Sequence, residues 1–126
     1  MEGKRILIAE DNALNAEIIM TILKDYRITA ELAGDGAAAV DMLEKNPEGY
    51  YDMILMDIQM PHMDGYEATE KIRALGDKRA DIPIVAMTAN AFEEDRRAAF
   101  AAGMNGHIAK PIQITQLLKT MSELLV

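Results

Sequence analysis

The chain has 126 residues, half of them hydrophobic and 27% charged, which suits one compact domain with a buried core. Its net charge of −8, with basic residues scattered and Arg96-Arg97 the densest pair, argues against binding nucleic-acid phosphates. Cysteine is absent, which excludes disulfides, thiolate metal sites and a catalytic thiol. No apolar run reaches the roughly 20 residues that span a bilayer, and none follows the N-terminus as a signal peptide would require. The expectation is a single soluble cytoplasmic domain over 1–126, with its ten methionines as core filler.

Strand and helix patterns alternate along the chain. Residues 5–9 read as a strand, and 14–23 carry Ile18, Ile19, Ile22 and Leu23 at helical spacing. A second strand over 28–33 runs into the turn Gly34-Asp35-Gly36. Residues 37–43 read as a helix stopped by Asn46-Pro47. A third strand covers 53–56, and a helix over 66–75 is given Gly76 as its C-cap. Ile82-Pro83 leads into a fourth strand over 84–87, then a helix over 94–102 closed by Gly103. A short fifth strand over 106–109 precedes the clearest helix, in which Ile114, Leu117, Leu118, Met121, Leu124 and Leu125 share one face.

Five strands alternating with five helices predict an α/β fold, a parallel sheet covered on both sides. Right-handed crossovers leave few strand orders, and the flavodoxin-like order 2-1-3-4-5 is expected. In that order the first and third strands are neighbours at the topological switch point, where ligands bind. The first ends in Glu10-Asp11 and the third in Asp57. Three carboxylates in one cleft repel one another, and a divalent cation relieves the repulsion; oxygen ligands suit Mg²⁺. Asp11 also precedes a helix and has a second, less favoured reading as its N-cap. Thr88 ends the fourth strand and Lys110 follows the fifth. Each has a plain reading, as a β-branched strand residue and a surface lysine. With the acids they make up a phosphoryl site: the ammonium neutralises phosphate oxygens and the hydroxyl donates a hydrogen bond.

Five segments carry a family resemblance: residues 6–12 (ILIAEDN), 54–65 (ILMDIQMPHMDG), 84–90 (IVAMTAN), Ala102-Gly103-Met104 and Lys110-Pro111-Ile112. In this order and spacing the chain resembles the receiver domain of bacterial two-component response regulators. The stretches around Asp57–Pro61, 65–69 and 86–91 resemble most the receivers of hybrid sensor histidine kinases. The resemblance implies a phosphorylation-dependent signalling switch in which Asp57 accepts a phosphoryl group from a phosphohistidine. It implies Mg²⁺, or Mn²⁺ in its place, held by Asp11, Asp57 and the backbone carbonyl of Gln59, with Glu10 acting through water. Lys110 would pair with a phosphoryl oxygen, Thr88 would carry the signal outward, and Pro111 would follow a cis peptide bond. Many receivers place Tyr or Phe three residues before the lysine; here the residue is His107, a departure that puts a titratable ring at the switch position. Gln59 and Asn90 would flank the path of the water that removes the phosphoryl group. His62 reads as a surface residue.

The implied partners are a sensor histidine kinase or a histidine phosphotransfer domain, docked near Ala13, Asn15 and Ala16. The implied assembly is a monomer or a weak phosphorylation-dependent dimer. The domain would phosphorylate itself without being a turnover enzyme. Two alternatives stand beside this reading. A phosphorylation-independent binding module of the same fold usually lacks an acid, the lysine or the hydroxyl, all of which are present. An aspartate-nucleophile phosphatase usually carries its nucleophile after the first strand with a second acid two residues on; here Asp57 follows the third strand and that residue is Gln59.

Overall fold

The computed structural model describes residues 2–89 and 93–125. Five strands, β1 (Arg5–Ala9), β2 (Thr29–Ala33), β3 (Met53–Asp57), β4 (Ile84–Thr88) and β5 (Gly106–Ala109), form one sheet in the order β2-β1-β3-β4-β5. All four pairings are parallel, so the chain returns between paired strands through helical crossovers. The helices are α1 (Ala13–Asp25), α2 (Gly36–Lys45), α3 (Gly65–Arg73), α4 (Glu93–Ala102) and α5 (Ile114–Leu124).

Successive side chains of a strand point to opposite faces, and both faces of this sheet are covered. Leu7, Ala9, Ile54, Met56, Ile84 and Ala86 pack against residues of α2, α3 and α4. Ile6, Ile8, Met53, Leu55, Val85, Met87 and Ile108 pack against Ile19, Ile22 and Leu23 of α1 and Leu117 and Met121 of α5. This two-sided burial is why the three central strands read as unbroken apolar runs. β3 is buried at every position, Asp57 included.

Local chemistry sets the ends of the helices. Asn12, Asp35 and Asp64 cap α1, α2 and α3 by accepting hydrogen bonds from Asn15 N, Ala38 N and Glu67 N at 3.0, 2.7 and 2.9 Å. The cap of α1 is therefore Asn12, not Asp11, and the Asp11 carboxylate is left for the cleft. The C-cap of α3 is Ala74, two residues before the expected Gly76, and its N–H satisfies carbonyls of the last turn. Gly103 closes α4 as expected, with a φ of +108°.

A 3₁₀ turn over Lys78–Asp81 has no counterpart in the sequence pattern. Polar contacts hold it. Arg73 donates to the carbonyls of Ala80, Ile82 and Gly103 and to Asn105 Oδ1, at 2.6 to 2.8 Å. Arg79 donates to the carbonyls of Leu43 and Asn46, which end α2. No helix among the described residues is long and apolar enough to cross a membrane.

Candidate functional site

Strand register assembles the site. Ala9 pairs with Met56, Asp57 with Met87, and Thr88 with Ala109, so the carboxyl ends of β1, β3, β4 and β5 lie level. The residues at or just past those ends are Glu10 and Asp11, Asp57, Thr88 and Lys110. They line one cavity of about 250 Å³, together with Asn12, Asn15, Gln59, Asp95 and their neighbours. Thr88 and Asp57 are buried, and Asp11 is exposed.

Carboxylate oxygens of Glu10, Asp11 and Asp57 lie within 4.8 Å of one another. Lys110 Nζ donates to Asp57 Oδ2 at 2.8 Å and sits 3.1 Å from Glu10 Oε2. The other Asp57 oxygen accepts from Gln59 N at 3.2 Å, and Glu10 Oε1 accepts from Asn12 N at 3.1 Å. One ammonium thus faces three acids. Burial pushes the Glu10 carboxyl up to about 7; the neighbouring Asp57 adds to the rise, against the opposing pull of Asn12 N–H and Lys110. Burial alone would lower Lys110, but its contacts with Asp57 and Glu10 outweigh that and raise it.

The donor set fits a hard divalent cation. It is made of oxygens alone, it carries more negative charge than Lys110 offsets, and buried Glu10 Oε2 accepts no well-formed hydrogen bond. A cation there would offset the burial and the Asp57 charge that together raise Glu10.

Gly65 fixes the path out of β3. A Cβ at this position would lie 2.4 Å from the Asp57 carbonyl oxygen and 3.0 Å from Ile58 Cα, both backbone atoms that cannot yield cheaply. Gly65 N also donates to Ile58 O at 2.9 Å, so the start of α3 presses directly on the peptide that follows Asp57. The sequence shows Gly65 only as turn punctuation.

The remaining expected residues are placed as follows. The Lys110–Pro111 peptide bond is cis. His107 is half-buried on β5 beside Ala86; burial, and then the charge of Arg96, lower its pKa. His107 is not among the residues lining the cavity. Asn90 lies outside the described residues. His62 is exposed, yet its Nδ1 lies 3.1 Å from Asp35 Oδ2 and ties the loop after β3 to the cap of α2. On α1, Ala16 is 1% exposed and cannot serve as a docking contact; Leu14 and Ile18, at 66% and 46%, present the open apolar face instead. Asp95 joins the cavity without any marking in the sequence, and Asn15, expected only near a docking patch, lines it too.

Fold and site together define a receiver: a parallel five-stranded domain with an acid pocket at its switch point and a lysine and a hydroxyl on the neighbouring strand ends. The family model for the response regulator receiver domain matches residues 6–122, and the chain belongs to that family. The receiver domain of the sensor histidine kinase PA1611 from Pseudomonas aeruginosa PAO1 is 38% identical, with a TM-score of 0.87 and 98% of each chain covered. That structure has a magnesium ion coordinated in the active site cleft. A co-crystal of the Saccharomyces cerevisiae histidine phosphotransfer signaling protein Ypd1 with the receiver domain of its downstream response regulator Ssk1 matches at 31% identity and a TM-score of 0.86, covering 97% of this chain and 88% of that one. Hybrid signal transduction histidine kinase B of Dictyostelium discoideum is 39% identical over 128 residues, 94% of this chain and 6% of that protein. Sensor protein GacS of Pseudomonas syringae pv. syringae is 37% identical over 119 residues, 93% of this chain and 13% of that protein. The chain thus spans a small fraction of the curated relatives it matches.

Proposed function

We propose that residues 1–126 act as one receiver unit that takes a phosphoryl group from a phosphohistidine onto Asp57. The observation that carries this is the Asp57 carboxylate: buried at the end of β3, it shares its cavity with Glu10, Asp11 and Thr88 and is held by Lys110 at 2.8 Å. Burial strips water from the nucleophile, while Lys110 and Gln59 N–H fix its orientation.

In the transfer, an Asp57 oxygen gives an electron pair to phosphorus as the bond to the donor nitrogen breaks, and the imidazole keeps that pair. Lys110 is placed to move its hydrogen bond from the carboxylate to a phosphoryl oxygen, and the Thr88 hydroxyl lies on the same wall. Asp11, Asp57 and the Gln59 carbonyl would hold Mg²⁺, with Glu10 assisting through water and Mn²⁺ able to substitute. The bound ion would offset charge developing on the phosphoryl oxygens.

Reorganisation of Thr88 would then change the surface of β4, α4 and β5, with His107 as the side chain that turns. The partner is a histidine phosphotransfer domain or sensor kinase. The similarity to hybrid kinase receivers and to the receiver bound to Ypd1 supports this. Such donors draw on ATP, so the reading assigns the domain to the cytoplasm. It also makes the domain a switch that modifies itself, without turnover on a separate substrate. The test is transfer from a purified phosphorylated histidine phosphotransfer domain. Label should move to this chain with Mg²⁺ and stay on the donor in EDTA; retention on every donor tried, with Mg²⁺ present, refutes the reading.

A further inference from the structure

The entrance to the phosphoacceptor cavity carries a second layer of negative charge. A cleft of about 550 Å³ adjoins the cavity and shares Asp11, Ile58, Gln59 and Asp95 with it. Asp64 and Tyr66 line its outer wall. Burial, and then the charges of Asp95 and Asp64, raise the Tyr66 phenol. Together the residues lining the two spaces carry five carboxylates, on Glu10, Asp11, Asp57, Asp64 and Asp95, against the single ammonium of Lys110.

These acids differ in what else they do. Asp64 caps α3, and Lys110 engages Glu10 and Asp57. Asp95, half-buried near the start of α4, makes no hydrogen bond or ion pair among the described residues. Its charge sits on the first turn of α4 and on the wall that the cavity and the outer cleft share.

We propose that Asp95 is a specificity-determining residue that selects the phosphodonor by charge. It disfavours small anionic donors and favours those that bring positive charge beside their phosphoryl group. The inference rests on the phosphoacceptor reading above. A cleft lined by one sign of charge focuses the field and alters the local concentration of a charged reactant. A donor dianion meets that field unshielded. A phosphohistidine on a cationic protein face meets it compensated.

Two small donors separate the terms without a partner protein. Acetyl phosphate is an uncompensated dianion near neutral pH: its phosphorus–oxygen bond breaks, acetate leaves with the electron pair, and an Asp57 oxygen bonds to phosphorus. Phosphoramidate carries an ammonio group on the phosphoryl unit: its phosphorus–nitrogen bond breaks and ammonia leaves with the pair. Rates of Asp57 labelling by each are measured at saturating Mg²⁺ for the wild type, Asp95→Asn and Asp95→Lys, at low and high salt. The expected result is an acetyl phosphate rate about three- to tenfold faster in Asp95→Asn and faster still in Asp95→Lys, a much smaller change with phosphoramidate, and convergence of all rates at high salt. Equal acceleration with both donors, or none with acetyl phosphate at low salt, overturns the inference while leaving the phosphoacceptor reading intact. No labelling of wild-type Asp57 by either donor overturns both.

Discussion

Glu10→Gln should stabilise the metal-free protein at alkaline pH, although it removes a charged group that Lys110 contacts. Glu10 is 2% exposed, and its carboxyl titrates near 7 in the fold against 4.5 for the free side chain. An acid raised by folding keeps in the native state a proton that the unfolded chain has already lost. Stability from this group is therefore intact below about 4.5 and is lost as pH rises to about 7. Each pH unit fully inside that window is worth up to about 1.4 kcal/mol, so a loss of roughly 2–3 kcal/mol accumulates by pH 8. Glutamine cannot ionise, and its amide oxygen can still accept from Asn12 N. The variant should match the wild type near pH 4.5 and exceed it by about 2 kcal/mol at pH 8, or roughly 6–10 °C in Tm. The chain has no tryptophan, so far-UV circular dichroism or calorimetry in EDTA is the appropriate assay. A wild-type stability that is level or rising relative to Glu10→Gln between pH 5 and 8 would refute the claim that the acids strain the apo site.

Mg²⁺ should reverse that strain, raising wild-type stability by about 1.4 kcal/mol at ten times its dissociation constant, with a smaller effect in Asp11→Asn; calorimetric titration checks this. Gly65→Ala should destabilise the fold by about 2–3 kcal/mol and slow phosphorylation, because the new methyl group meets the Asp57 carbonyl at 2.4 Å; thermal unfolding and labelling rates read the two effects. Arg27, just past α1, holds a φ of +59°, so Arg27→Gly should stabilise by about 0.5–1 kcal/mol in urea unfolding. Its ion pair with Glu2, at 3.5 Å, is too exposed to offset this.

The sheet and the heart of the site were readable because each rests on local pattern. Four apolar residues ending in Asp57 announce a two-sided buried strand, and parallel register carries that carboxylate level with Glu10, Asp11, Thr88 and Lys110. Features set by geometry between elements left no such mark. Asn12 and Asp11 have equal capping propensity, and the start of α1 at Ala13 makes Asn12 the cap. Arg73 looks like any surface arginine of an amphipathic helix, yet it joins the 3₁₀ turn, the approach to β4 and the segment before β5. Gly65 is needed because two backbones meet, and Asp95 reaches the cavity mouth only through the placement of α4. The exposed apolar face of α1 also depends on rotation about its axis: Ala16 turns into the core and Ile18 turns out.

The central claim is that Asp57 is the phosphoryl acceptor, and intact-mass spectrometry tests it most directly. Wild type and Asp57→Asn are incubated with acetyl phosphate and Mg²⁺. The wild type should gain a single phosphoryl group, about 80 Da, that is stable in acid and lost in base, as an acyl phosphate formed by a carboxylate nucleophile must be. Asp57→Asn should gain none. Equal labelling of the two proteins would contradict the account.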